Sequence, residues 1–392
     1  MSHTPSPLAM AQPQAVGLDP QRLQTLIDVL QRDVDQHRLP GAVVLVARQG
    51  QIAMLEHLGA RDPASATPMR GDSIFRIYSM TKPVVSVAAM MLVEQGKLLL
   101  SDPISQYLPE FAKPVVLDSH GVVHPSAPAT IQDLLRHTAG LTYEFLGDAA
   151  VQRQYAAHKM GSRERSNAEF TSTLASLPLM FEPGSTWAYS RATDVLGRLV
   201  EVVSGQQLDA FLQQAIFEPL AMVDTGFVVP PEHHHRLAQA FDHDPDGGDP
   251  MHLFDPTQPA AFQSGGGGLM STAGDYARFL QMLRNLGELD GVRLLAAPTV
   301  QFMTADHLGG MPAHGDLLPP GHGFGLGFAV RTQPGLASIP GSVGLYYWNG
   351  IAGTSFFVDP ALDLYAVLMI QAPNQREYYR QLFRNLVYAA VV

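Results

Sequence analysis

The sequence predicts an α+β chain: an antiparallel sheet covered by helices, with a mainly helical region inserted between its parts. Three observations predict it. The chain opens as a helix followed by a hairpin, its strand-like runs gather at the two ends, and the middle reads as helices separated by proline-rich connections. These signals divide the 392 residues into an α/β domain built from 18–84 and 270–392, a mainly helical domain over 85–269, and a flexible tail over 1–17.

Taken in order, Asp19-Pro20 reads as a helix cap with proline at the first helical position, and Leu23, Leu26, Ile27, Leu30 and Val34 follow at helical spacing. Leu39-Pro40-Gly41 stops that helix. Ala42 to Arg48 is a continuous β-prone run, Gln49-Gly50 a turn, and Gln51 to Leu58 the returning strand. A helix from about Ser79 to Gln95 stops at Gly96. Thr130-Ile131-Gln132-Asp133 resembles a capping box, and Ser271 to Leu286 reads as a helix. Gly353 to Val358 and Leu364 to Gln371 form a second hairpin across Asp359-Pro360, and a helix over 376–391 closes the chain, with Tyr379, Leu382, Phe383 and Val387 on one face.

Composition narrows the function classes. Hydrophobic content of 46% with 16% charged residues fits a globular enzyme with a sizeable core. The net charge of −11 and the lack of a basic cluster argue against nucleic-acid binding. With no cysteine there are no disulfides, thiol nucleophiles or Cys-ligated metals. No stretch approaches the ~20 apolar residues of a membrane span. No signal segment is visible, so the expected compartment is the cytoplasm, with the periplasm left open.

Several motifs invite ligand readings that their details do not support. His233-His234-His235 lacks a metal-binding spacing and reads as a surface loop. Asp242-x-Asp244-x-Asp246-Gly247 starts like a calcium loop, but Leu253 stands where a bidentate glutamate is needed, so it reads as a polar hairpin tip. Ser264-Gly265-Gly266-Gly267-Gly268 is followed by no Gly-Lys-Ser/Thr, so it is not a phosphate loop. No Gly-x-Ser-x-Gly elbow is present.

The chemistry-bearing stretch is Phe75-Arg76-Ile77-Tyr78-Ser79-Met80-Thr81-Lys82-Pro83. In a helix, Ser79 and Lys82 lie one turn apart on one face. Pro83 fits only near a helix start, which puts Ser79 where free N–H groups favour developing negative charge. A serine needs a base to become a nucleophile, and a lysine in a desolvated pocket can act as one. Spacing alone fits equally well a helix-capping serine beside a solvated lysine.

The flanking sequence decides between them. Phe75 to Pro83, followed by Leu92-Val93-Glu94-Gln95-Gly96-Lys97-Leu98-Leu99-Leu100-Ser101-Asp102-Pro103, resembles the serine beta-lactamase-like superfamily, nearest to class C beta-lactamases and the family eight carboxylesterases. The resemblance extends from about Gly41 to the C-terminus and implies the beta-lactamase-like fold. His137-Thr138-Ala139-Gly140-Leu141 is similar to a stretch common in that family, and its glycine also fits an ordinary helix end, so no chemical role for His137 is required. Among twelve tyrosines, the resemblance singles out Tyr189, which falls on the tyrosine of a Tyr-x-Asn motif.

The resemblance implies a serine carboxylesterase. Ser79 is then the nucleophile, Lys82 and Tyr189 manage its proton, and the backbone N–H groups of Ser79 and Ile351 form the oxyanion hole. Trp348, Asn349, Gly350, Tyr143, Phe145 and Arg191 are the expected substrate-binding residues. No metal or other cofactor is implied, and the partner is a small-molecule ester. Two departures from the lactamase pattern bear on substrate. Arg191 replaces the amide-binding asparagine, and Trp348-Asn349-Gly350 stands where lactamases have Lys-Thr-Gly and family eight esterases have Trp-Gly-Gly. Both favour neutral esters over penicillins. The alternatives are a beta-lactamase, a D-amino-acid peptidase or amidase, an acyltransferase, and a penicillin-binding sensor that is acylated without turnover.

Overall fold

The strand Gly41–Arg48 is buried from Gly41 to Ala47, although successive side chains of a strand point to opposite faces. The sheet that contains it must therefore be covered on both sides. In the computed structural model, which describes residues 8–118 and 120–392, helices supply that cover.

Helix α1 (Pro20–Asp35) starts where the sequence predicts. The Asp19 side chain accepts from the N–H groups of Gln21 and Arg22 at 2.8 and 3.2 Å, and Leu23, Leu26 and Leu30 are buried. Strands β1 (Gly41–Arg48), β2 (Gln51–Asp62) and β3 (Thr67–Pro68) follow. Helix α2 (Thr81–Glu94) then runs through the interior, with every residue from Thr81 to Met90 buried. Further on come α3 (Ala192–Ser204) and α4 (Ala273–Arg284). The chain ends with β4 (His322–Phe324), β5 (Ala329–Arg331), β6 (Tyr346–Asn349), β7 (Ser355–Asp359), β8 (Leu364–Ile370) and α5 (Arg376–Ala389).

These strands form one antiparallel sheet in the order β4-β5-β6-β7-β8-β1-β2-β3. The two ends of the chain meet at its centre, where β1 pairs with β8 (Ala42 opposite Ile370, Arg48 opposite Leu364). Helix α4 packs on β1 and β8, α1 packs on α5 and β2, and α2 packs on α3. A single hydrophobic core runs from the sheet into the helices, with a small satellite of Ile74, Val229, Leu237 and Met270. Among the described residues no helix is long and apolar enough to cross a membrane.

The structure also departs from the sequence reading outside these elements. Residues 8–17 are not a loose tail: Ala11 N–H donates to Ile52 O, Ile52 N–H donates to Ala9 O, and Val16 and Leu18 are buried. The rest of the expected tail, 1–7, lies outside the described residues. The histidine run sits in a 3₁₀ helix, Pro231–Arg236, rather than a loop. The Asp242–Gly247 stretch has no flanking strands; Asp244 instead accepts from Asp246 and Gly248 N–H and from the side chains of Asn374 and Gln375.

Candidate active site

Ser79 lies in a 3₁₀ turn, Tyr78–Met80, with α2 beginning two residues later than the sequence suggests. Tyr78 takes φ = +44°, a left-handed conformation costing a non-glycine residue roughly 1–2 kcal/mol. Surrounding contacts hold the turn. Ile77 N–H donates to Leu269 O at 3.1 Å, Thr354 Oγ1 donates to Ile77 O at 3.3 Å, and Tyr276 OH donates to Met80 O at 2.9 Å. The Tyr78 hydroxyl accepts from Phe254 N–H at 3.3 Å. The outcome is a half-buried serine clamped between the β6–β7 connection and the segment before α4.

One turn along, Lys82 Nζ is buried and lies within hydrogen-bonding distance of Ser79 Oγ at 3.3 Å, Tyr143 OH at 3.0 Å and Gly266 O at 2.6 Å. It also lies over the Tyr189 ring, 4.5 Å from the centroid. On the other side of Ser79, the Tyr189 hydroxyl is 2.6 Å from Ser79 Oγ, and Trp348 Nε1–H donates to it at 3.2 Å. Tyr189 is placed by the short strand Trp187–Ala188, which pairs with Ala313–His314 and whose Ala188 N–H donates to His137 O, and by the start of α3. The structure thus gathers Ser79, Lys82, Tyr189 and Trp348 at one point.

Tyr143, expected to line the pocket, has its hydroxyl against Lys82 Nζ. Burial, then the neighbouring Tyr189 and Asp194, push its pKa well above the usual tyrosine value, so it is a neutral phenol beside Lys82. Its ring is 5.2 Å from Tyr189 and 4.8 Å from Phe145, which is 55% exposed and sits at the rim.

Arg191, expected on the substrate, is engaged elsewhere. Its guanidinium donates to both carboxylate oxygens of Glu144 and to Asp194 Oδ2, and stacks 4.7 Å from the Tyr143 ring centre. Burial opposes its charge, but Asp194 and Glu144 more than offset this and hold its pKa above the ordinary guanidinium value. Asn349 accepts from its cross-strand partner Ser355 through Oδ1 at 2.7 Å. Gly350 is needed where it stands: a Cβ there would meet Ile77 O at 2.5 Å and Thr354 Oγ1 at 2.2 Å. That close approach brings the end of β6 to the turn that carries Ser79. The following Ile351 N–H has no acceptor among the described residues.

Sequence reasoning missed the glycine run's part. Gly265 packs where a Cβ would lie 2.4 Å from Thr193 O, and Gly266 presents its carbonyl to Lys82. Buried Asp194 fixes this arrangement by accepting from Ser264 Oγ at 2.5 Å and Gly266 N–H at 2.9 Å. Four glycines without a phosphate motif were the visible signal; the carboxylate that organises them was not. His137 is fully buried, with Nδ1 3.1 Å from Ser190 Oγ and its ring against Tyr189, Trp187 and Phe324. Burial, and secondarily the Lys82 charge, put its pKa well below 6.5, so it packs as a neutral wedge behind Tyr189.

The chain is similar to known proteins over most of its length. The beta-lactamase family profile matches residues 26–390. Esterase EstB of Burkholderia gladioli is 36% identical over 385 residues, spanning 92% of this chain and 93% of the relative. Protein Rv1367c of Mycobacterium tuberculosis is 38% identical over 357 residues, spanning 86% of this chain and 87% of the relative. Among solved structures, EstCE1, described as a hydrolase with promiscuous acyltransferase activity, superposes with a TM-score of 0.81 at 31% identity, covering 94% of this chain and 99% of its own. The chain belongs to the beta-lactamase family, on its serine carboxylesterase branch.

Proposed function

We propose that the protein hydrolyses short-chain carboxylic esters through an acyl-enzyme on Ser79. The observation that carries this reading is the position of Ser79 Oγ, 2.6 Å from the Tyr189 hydroxyl and 3.3 Å from Lys82 Nζ. Ser79 Oγ attacks the ester carbonyl carbon while its proton passes to the Tyr189–Lys82 pair, which enters the step one proton short and so can accept it. The tetrahedral oxyanion is met by the N–H groups of Ser79 and Ile351. When the intermediate collapses, the pair returns the proton to the departing alkoxide, which leaves as the alcohol. Water then attacks the acyl carbonyl as the same pair takes one of its protons, and on collapse the pair returns that proton to Ser79 Oγ, freeing the serine and the carboxylic acid.

The substrate preference follows from what the site lacks. Trp348 occupies the position of the lactamase lysine, is almost fully buried, and commits its N–H to Tyr189. Arg191 is tied to Glu144 and Asp194. Neither supplies a free partner for a β-lactam carboxylate or amide, and a polar substrate group left without its partner is strongly disfavoured. The kcat/KM for p-nitrophenyl acetate and butyrate is expected to exceed that for nitrocefin by more than about tenfold, or ~1.4 kcal/mol in transition-state binding. Nitrocefin turnover as fast as the esters would restore the lactamase reading. The activity described for EstCE1 supports a second outcome at the same site, acyl transfer to an alcohol in place of water, which added alcohol would reveal as a new ester.

A further inference from the structure

The N–H of Ile351 and the carbonyl of Gly350 belong to one peptide unit. The N–H end has no protein acceptor among the described residues, and the carbonyl end is doubly engaged. It accepts from Gly353 N–H at 2.9 Å and from Nη2 of Arg380 in α5. The Arg380 side chain is only 13% exposed. Its Nη1 pairs with the more exposed Glu377, and its Nε is buried without a partner.

We propose that Arg380 is a positioning residue for the oxyanion hole: by donating to Gly350 O it orients and polarises the peptide whose N–H, at Ile351, receives the developing oxyanion. The inference rests on the reading of Ile351 given above. Amide resonance links the two ends of a peptide, so a charged donor on the oxygen draws electron density from the nitrogen and strengthens the N–H as a donor. A second donor on the same oxygen adds to this effect. The contact also prevents the flexible Gly350 linkage from turning its carbonyl toward the site, where it would repel the oxyanion. Burial lowers the Arg380 pKa to about 10, against which Glu377 and Tyr189 favour its charge, so it remains a cation at neutral pH. A fixed, nearly dry cation behind the N–H needs no reorganisation when charge develops in front of it.

The test compares wild type with Arg380→Met and Arg380→Lys, using p-nitrophenyl butyrate and the matching thionoester, whose sulfur fits an oxyanion hole poorly. Arg380→Met is expected to lower kcat for the oxygen ester about 10- to 100-fold with KM within about threefold, and to narrow the oxygen-over-sulfur preference by a similar factor. Arg380→Lys, which keeps the charge, is expected to recover part of both. A kcat within twofold of wild type overturns the inference. So does an equal loss for both esters accompanied by a lower melting temperature, which would mark Arg380 as a structural brace only. If Arg380→Met does not fold, Arg380→Gln carries the same comparison: a narrowed preference supports the inference and an unchanged one overturns it. The wild type itself is expected to favour the oxygen ester by more than about 100-fold. A much smaller wild-type preference overturns the oxyanion-hole reading and the Arg380 inference with it, whereas a large preference unchanged in the variants overturns the Arg380 inference alone.

Discussion

Ser79→Ala is expected to lower kcat for p-nitrophenyl butyrate by at least about 10⁴-fold, the scale seen when a serine nucleophile is removed from a working constellation. It should also abolish covalent labelling by a fluorophosphonate. The substitution removes one oxygen from a half-buried position, so folding should be preserved. What remains of the site, Lys82 held by Tyr143 and Gly266 and Tyr189 held by Trp348, lacks the hydroxyl that the proposed acyl-enzyme requires. Labelling at full stoichiometry in the variant would place the nucleophile elsewhere.

The second large effect concerns the proton. Lys82→Ala and Tyr189→Phe are each expected to lower kcat by about 10²-fold or more, roughly 2.7 kcal/mol apiece. The two substitutions stress the structure differently. Tyr189→Phe keeps the ring against Tyr143 and Trp348 and costs only the hydroxyl, leaving the Trp348 N–H without its acceptor. Lys82→Ala opens a space in the core and leaves Gly266 O and Tyr143 OH without their donor, which lowers stability by about 1–3 kcal/mol as well. Melting curves for each variant separate that loss from the catalytic one. The double variant should fall well short of the product of the single effects, because the two groups handle one proton as a unit. Fully multiplicative losses, or a Tyr189→Phe variant near wild type, would contradict the shared-proton account.

The site was legible in the sequence where chemistry constrains spacing. Ser79 and Lys82 lie one helical turn apart, and Pro83 restricts where that helix can start, so their juxtaposition could be read from residue order, while the role expected of the pair came from the resemblance. The resemblance supplied Tyr189, which spacing could not select. The contacts of Tyr143 and Arg191 were hidden because folding brings their distant partners near: Lys82 lies far from Tyr143 in sequence, and Glu144 far from Arg191. Arg380 was invisible for the same reason, since only the packing of α5 near the end of β6 brings it to Gly350. In the fold, local signals such as the Asp19 cap and the two hairpins stood as read. Residues 8–17 were misjudged because their order comes from pairing with Ile52 and from burying Val16, both of them tertiary contacts that a proline-rich composition conceals.

The central claim is that an acyl group passes through Ser79. Wild-type protein mixed with excess p-nitrophenyl butyrate, quenched in acid within the first turnovers and digested for mass spectrometry, tests it most directly. The account predicts a butyryl group on the peptide carrying Ser79 and on no other, forming with the first burst of p-nitrophenol and disappearing once substrate is exhausted. Rapid ester turnover with Ser79 unmodified at every quench time, or a butyryl group accumulating on a different residue at the rate of turnover, would contradict it.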